Sequence, residues 1–189
     1  MPPPIVNNPP VRIAIIGIGN VLAGDDAVGP HVVRVFEARY ALPDDVQVID
    51  AGTPGYDLTA FLVGLDAVVL VDAVKAKGTS GEVRTFDKAA LLEKKPILAI
   101  SPHEPGVREA LLNADFMGVT PPVVRLVGVI PGGTATGIGL SAEVRAAVPG
   151  AVEAVTRELL ALGIALRERT PPVEPDLWWE RRPDVRGRP

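Results

Sequence analysis

Acidic or imidazole residues stand where four apolar runs of this chain stop. Asp26, or its neighbour Asp25, follows the run 11–17. Asp50 closes 46–50, Asp72 stands near the end of 67–73, and His103 follows 97–101. A carboxylate at the end of a segment as apolar as VVLVDAV is costly to desolvate unless an opposite charge meets it. A divalent metal ion or a cationic group of a substrate would be such a partner. Two carboxylates and one neutral imidazole, as in Asp26, Asp72 and His103, neutralise a divalent ion. Oxygen and nitrogen donors suit zinc, nickel or a similar first-row ion rather than copper(I). Three protein ligands leave coordination positions open, as a reactive or substrate-binding site requires. Asp26 lies near the expected start of a helix, where its ionised form is favoured. The chain carries no short ligand motif such as HExxH.

Other readings of the same residues stand beside this one. Gly17 and Gly19 after the first run supply two glycines of a dinucleotide-binding turn, and Asp50 fits its acidic position. The third glycine would fall at position 22, which is Leu22. Asp25 and Asp26 near the helix start would also repel a pyrophosphate. Asp25 is expected to cap that helix rather than to do chemistry. Asp50 could equally hold a turn with the glycines of AGTPG, and His103 could be an ordinary loop histidine. His31, the other histidine, is expected on the surface of a helix. Ser80, Ser101 and Ser141 lie in no G-x-S-x-G context, so serine chemistry is poorly supported.

These residues need elements to hold them. VRIAIIG (11–17) reads as a strand buried on both faces, VQVID (46–50) as a second strand stopped by AGTPG, and AVVLVDA (67–73) as a third and the most apolar of all. GEVRTF (81–86) reads as a more polar edge strand, and 97–101 and 123–130 as two further strands. Helical spacing covers 27–40, 56–64 and 106–113. A last helical stripe runs over about 141–167, started by Ser141 and expected to break or kink at Pro149-Gly150. Strands alternating with helices predict an α/β fold, a three-layer α/β/α sandwich on a mostly parallel sheet of about five strands. Ligands of such sheets bind beyond the carboxyl ends of the strands, where these acidic residues and His103 stand.

Composition bounds the rest. The chain has 189 residues, no cysteine and a net charge of −4. Thiol chemistry, thiolate metal sites and disulfides are excluded. No basic face invites nucleic acid, and no apolar run approaches the roughly 18 residues of a membrane span. A soluble, cytoplasmic monomer is expected. Ten of the 20 prolines fall in 1–10 and 171–189, so one domain is expected over 11–168, with tails at 1–10 and 169–189 outside it. Both tryptophans, Trp178 and Trp179, lie in the second tail. They are expected either to dock on the chain's own surface or to bind a partner.

The ordered segments GIGNVLAGDDAVG (17–29), DAGTPG (50–55), VVLVDAV (68–74), SPHEPG (101–106) and LVGVIP (126–131) resemble the successive motifs of the hydrogenase maturation endopeptidases. The resemblance covers about residues 11–165. It implies a protease that clips a short C-terminal extension from the large-subunit precursor of a nickel–iron hydrogenase after nickel insertion. It implies that the family's three metal-binding side chains are Asp26, Asp72 and His103, which would contact nickel carried by the precursor. Zinc or cadmium could occupy the same donors. Where the family often has Glu, this chain has Asp26, and Glu104 follows His103 where Gln is common. Asp50 matches an acidic family position and is a candidate for substrate recognition. The family is sometimes grouped with the aspartic peptidases. Either a carboxylate as general base or the metal could activate water. A metal-sensing chaperone that binds the same precursor without cutting it, and a Rossmann-type nucleotide-binding enzyme, are the competing expectations.

Overall fold

The computed structural model describes residues 12–93, 106–171 and 173–181. The expected strand at 97–101, His103 and the N-terminal tail lie outside the described residues.

Three of the expected strands occur as β1 (Ile13–Gly17), β3 (Val46–Asp50) and β4 (Ala67–Ala73). Between the first two come α1 (Val28–Arg39) and a two-residue strand β2 (Tyr40–Ala41). A short 3-10 turn and α2 (Leu58–Leu62) precede β4. Then follow β5 (Val83–Asp87), α3 (Lys88–Leu92), α4 (Val107–Met117), β6 (Val123–Val129), α5 (Ala142–Ala161) and β7 (Arg167–Glu168). The main sheet has the order β3-β1-β4-β6-β5. Every pair is parallel except β5 with β6, so the polar strand is an antiparallel edge.

Alternation along the strands divides the core in two. Ile13, Ile15, Val69 and Val71 pack with α1 and α5, while Ala14, Ile16, Val68 and Leu70 pack with α2 and α4. Every residue of β1 is buried. Its aliphatic side chains suit a strand enclosed on both faces. The result is the expected three-layer α/β/α sandwich.

Three local expectations are corrected. First, α5 passes through Pro149 without ending. Pro149 and Arg145 are exposed, so the carbonyl that loses its donor faces water. On the opposite side Val144, Val148, Val152 and Val155 stay buried and hold the helix together. Second, α5 stops at Ala161 instead of running on to 167. Gly163 takes a φ of +82°, and the Ile164 amide bonds back to the Leu159 carbonyl, a glycine-terminated end. The chain then pairs as β7 with β2, and Arg39 forks onto Glu168 at 3.1 and 2.8 Å. Third, the C-terminal segment expected to lie outside the domain packs on it within 173–181. There Trp179 is buried.

Asp25 does not cap α1. The helix follows a 3-10 turn, Gly24–Ala27, and its N-cap residue Ala27 offers no side-chain bond. Asp25 is instead 1% exposed and reaches the loop after β6. Its carboxylate accepts from the Gly132 amide (2.8 Å), the Gly133 amide (3.0 Å), the Ser141 amide (2.6 Å) and the Ser141 hydroxyl (3.0 Å). Burial alone would raise its pKa. The bonds from Ser141, Gly133 and Gly132 outweigh that and hold it below the ordinary 3.8.

A carboxylate with a depressed folded-state pKa stabilises the fold above its unfolded value, and that contribution is lost as pH falls through the folded value. Asp25→Asn should therefore lower the unfolding free energy at pH 7 by about 2–3 kcal/mol. In denaturant titrations the gap to the parent should narrow as the pH drops below about 4. A gap that stays constant into strong acid would contradict this assignment.

Candidate active site at the carboxyl ends of the strands

β1 is followed in the chain by β3 on one side of it and then by β4 on the other. The chain therefore changes direction across the sheet at β1, and the crevice beyond the carboxyl ends of β1 and β4 is the position such sheets offer to ligands. The loop 18–27, which carries Asp26, leaves β1 at that point. Asp72 stands at the end of β4, opposite Gly128 of β6, and Asp50 ends β3, opposite Gly17.

The loop is pinned from both sides. The Ile18 amide donates to the Val71 carbonyl at 2.8 Å and the Gly19 amide to the Gly52 carbonyl at 2.8 Å. Asp26 then folds back on the loop's start, where its Oδ2 accepts from the Asn20 amide at 2.7 Å. Asn20 Oδ1 accepts in turn from the Leu22 amide at 2.9 Å. Gly19, at φ +141°, allows this closure, because a Cβ there would stand 1.8 Å from the Asp26 carbonyl oxygen. Gly29 does the same for the helix, since a Cβ on it would lie 2.1 Å from the Ile18 carbonyl oxygen and 2.5 Å from that of Val71. The turn bearing Asp26 thus packs on β4, the strand that ends in Asp72.

Asp26 and Asp72 are both half-buried. By strand alternation Asp72 shares the sheet face of Val68, Leu70 and Val74, the face covered by α4. Asp50 is half-buried as well. Its Oδ1 accepts from the Gly52 amide at 3.2 Å, and its Oδ2 lies 3.7 Å from Arg34 of α1, so it holds the AGTPG loop as the turn reading expected. Among the described residues no three His, Cys, Asp or Glu side chains are grouped closely enough to hold a metal ion. Asp26 and Asp72 are the members of the expected trio that the described residues include. Among the described residues no helix is long and apolar enough to cross a membrane.

A cleft of about 240 Å³ opens beyond the ends of β4 and β6, lined by Val74, Lys75, Ala76 and the start of the loop after β6. A larger depression of about 670 Å³ lies among Arg12, Asp44, Asp45 and Gly64. It stands at the amino ends of β1 and β3, the wrong end for the crevice, and contains none of the expected site residues.

A second polar cluster flanks the site, and sequence reasoning missed it. His31, expected on the surface, is 3% exposed. Its ring meets Trp179 edge-on at 6.0 Å, and its Nδ1 lies 3.9 Å from Glu180. Burial pushes its pKa down. Glu180 draws it up, and Arg145 pushes it down further. Arg145 binds Glu180 through both terminal nitrogens, at 2.7 and 3.3 Å, which holds the Glu180 carboxyl below its ordinary range. The only trace of this cluster in the sequence was the pair of tryptophans.

Comparison with known proteins agrees with this architecture. A family model described as hydrogenase maturation protease matches residues 30–158. The hydrogenase 2 maturation protease of Escherichia coli is 36% identical over 158 residues, covering 82% of this chain and 94% of its own. The hydrogenase expression/formation protein HupD of Rhizobium leguminosarum is 32% identical, covering 96% and 93%. Among solved structures, the hydrogenase maturating endopeptidase HybD of E. coli superposes with a TM-score of 0.75 at 34% identity, covering 84% of this chain and 98% of that one. A maturation protease from Thermococcus kodakarensis gives 0.60 at 28% identity, covering 79% and 93%. The sandwich with its aspartates at the carboxyl ends of the strands is thus a peptidase fold, and the chain belongs to the hydrogenase maturation protease family.

Proposed function

We propose that this protein removes the C-terminal extension of a nickel–iron hydrogenase large-subunit precursor once nickel has been inserted, and that Asp26, Asp72 and His103 recognise the nickel. The observation that carries the proposal is the placement of Asp26 and Asp72. The Asp26 turn packs on the strand that ends in Asp72, at the crevice where this sheet changes direction. Carboxylate oxygens and an imidazole nitrogen suit nickel, and zinc or cadmium would compete for the same donors. His103 lies outside the described residues. It precedes α4 by four positions in the chain, and α4 covers the sheet face that Asp72 shares.

In this reading the nickel is cargo of the substrate. Contact with it reports that loading is complete and fixes the scissile bond beside the carboxylates, so that positioning supplies much of the acceleration. A carboxylate of the pair acts as general base towards the attacking water. Asp50 orders the neighbouring loop and contributes to precursor recognition from there.

Mass measurement of the nickel-loaded precursor after incubation should show loss of the C-terminal peptide, while nickel-free precursor keeps its full mass. Binding without any loss of mass would favour a non-cleaving chaperone. Asp72→Asn and His103→Ala should each abolish processing with little change in melting temperature. Normal processing by both would remove the trio from the mechanism. Asp50→Asn should raise KM about tenfold and leave kcat near the parent value, the scale of one charge-assisted hydrogen bond. A drop in kcat alone would place Asp50 in the chemistry instead.

A further inference from the structure

The tandem tryptophans divide their work. Trp179 is 5% exposed and Trp178 is 57% exposed, with the two rings edge to face at 5.7 Å. The strap that carries them is fixed at several points. Trp179 packs on His31 and Glu180 is forked by Arg145, while Arg181 bonds Asp176 within the strap itself at 2.6 Å. Trp178 is therefore held at the surface by a folded segment. A large aromatic side chain fixed before binding loses little conformational entropy on contact, which is the property of a binding anchor.

The strap is continuous with the rim of the site. The Glu180 carboxylate lies within 3.6 Å of where a Cβ on Gly139 would stand. Ile138, the preceding residue, is 62% exposed. The loop it belongs to is bridged to the Asp26 loop, for the Gly137 amide donates to the Leu22 carbonyl at 2.9 Å and the Gly24 amide to the Gly137 carbonyl at 2.9 Å. Leu22 is itself exposed. These contacts bring the segments of three exposed apolar side chains, Leu22, Ile138 and Trp178, next to one another, an arc that starts four residues from Asp26 and ends on the strap. The strap lies C-terminal to the residues 30–158 that the family model matches.

We propose that this arc is the docking surface for the body of the hydrogenase precursor, with Trp178 as its outer anchor. The proposal rests on the reading of the protein as a precursor-processing protease. A substrate that brings its nickel to Asp26 must lie across the rim that Leu22 and Ile138 form. An apolar surface on the precursor would cover them and reach Trp178. Aromatic anchors of this kind carry a large share of the affinity of protein interfaces.

Calorimetric titration of the full-length protein with nickel-loaded large-subunit precursor tests the arc, with cleavage followed in parallel. Trp178→Ala and Ile138→Ser should each weaken binding about tenfold and raise KM to match, with kcat and melting temperature unchanged. Phe116→Ala serves as the control. Phe116 is 92% exposed near the end of α4, which leads into the amino end of β6, away from the crevice, and its loss should leave affinity at the parent value. Trp179→Ala should lower the melting temperature and weaken binding together, because it frees the strap. Parent affinity in both Trp178→Ala and Ile138→Ser, or an equal loss in Phe116→Ala, would overturn the proposal. If the parent binds precursor but cuts nothing, the protease reading fails while the titration still decides the arc.

Discussion

The Asp25 carboxylate accepts four hydrogen bonds from Gly132, Gly133 and Ser141, and the site depends on them. They tie the loop after β1 to the loop after β6 across the carboxyl end of the sheet. The Asp25 amide donates to the Gly133 carbonyl at 3.1 Å, so the tie runs in both directions. A buried carboxylate is tolerable because its lone pairs are met by fixed donors. Those donors are backbone groups of another loop, so the charge also sets that loop's position. Ser141 serves twice, since its hydroxyl also accepts from the Val144 amide and starts α5. One interaction thus sets the first loop, the far rim and the start of a long helix.

Its neighbour Asp26 has a different task. The two aspartates share a 3-10 turn, yet one carboxylate is buried in the far loop and the other accepts from Asn20 at the crevice. The division is steric. Gly19 and Gly29 remove the side chains that would keep the loop and α1 away from β1 and β4. The turn can then sit on the ends of the strands, with Asp25 facing one way and Asp26 the other. Rigid support of this kind is what a site needs when its geometry decides the rate.

The C-terminal strap extends the same logic outward. His31 lies five residues beyond Asp26 on α1, Arg145 lies four beyond Ser141 on α5, and Glu180 and Trp179 close over both. The strap therefore rests on the two helices that Asp25 and Ser141 position. Its exposed ring inherits that rigidity.

The α/β class, the strands β1, β3 and β4 and the strand-end positions of Asp50 and Asp72 were legible in the sequence. Each follows from a local pattern of apolar β-branched runs, two of which close on a carboxylate, and in β1 and β4 the pattern survives folding because both faces of the strand are buried. The ordered motifs likewise pointed to the family that the comparisons show. The role of Asp25 was not legible. Its partners lie more than a hundred residues away, and the residue type alone reads as a helix cap. The burial of His31 and the split of Trp178 from Trp179 were hidden for the same reason, because both depend on a segment that carries no periodicity of its own. That α5 runs on through Pro149 without a break was not legible either, because the local rule takes no account of which side of the helix faces water. Hydrophobic period and strand ends are properties of neighbours in the chain. The partner of a buried charge and the exposure of a single ring are fixed only when distant segments meet, and the tertiary structure alone decides them.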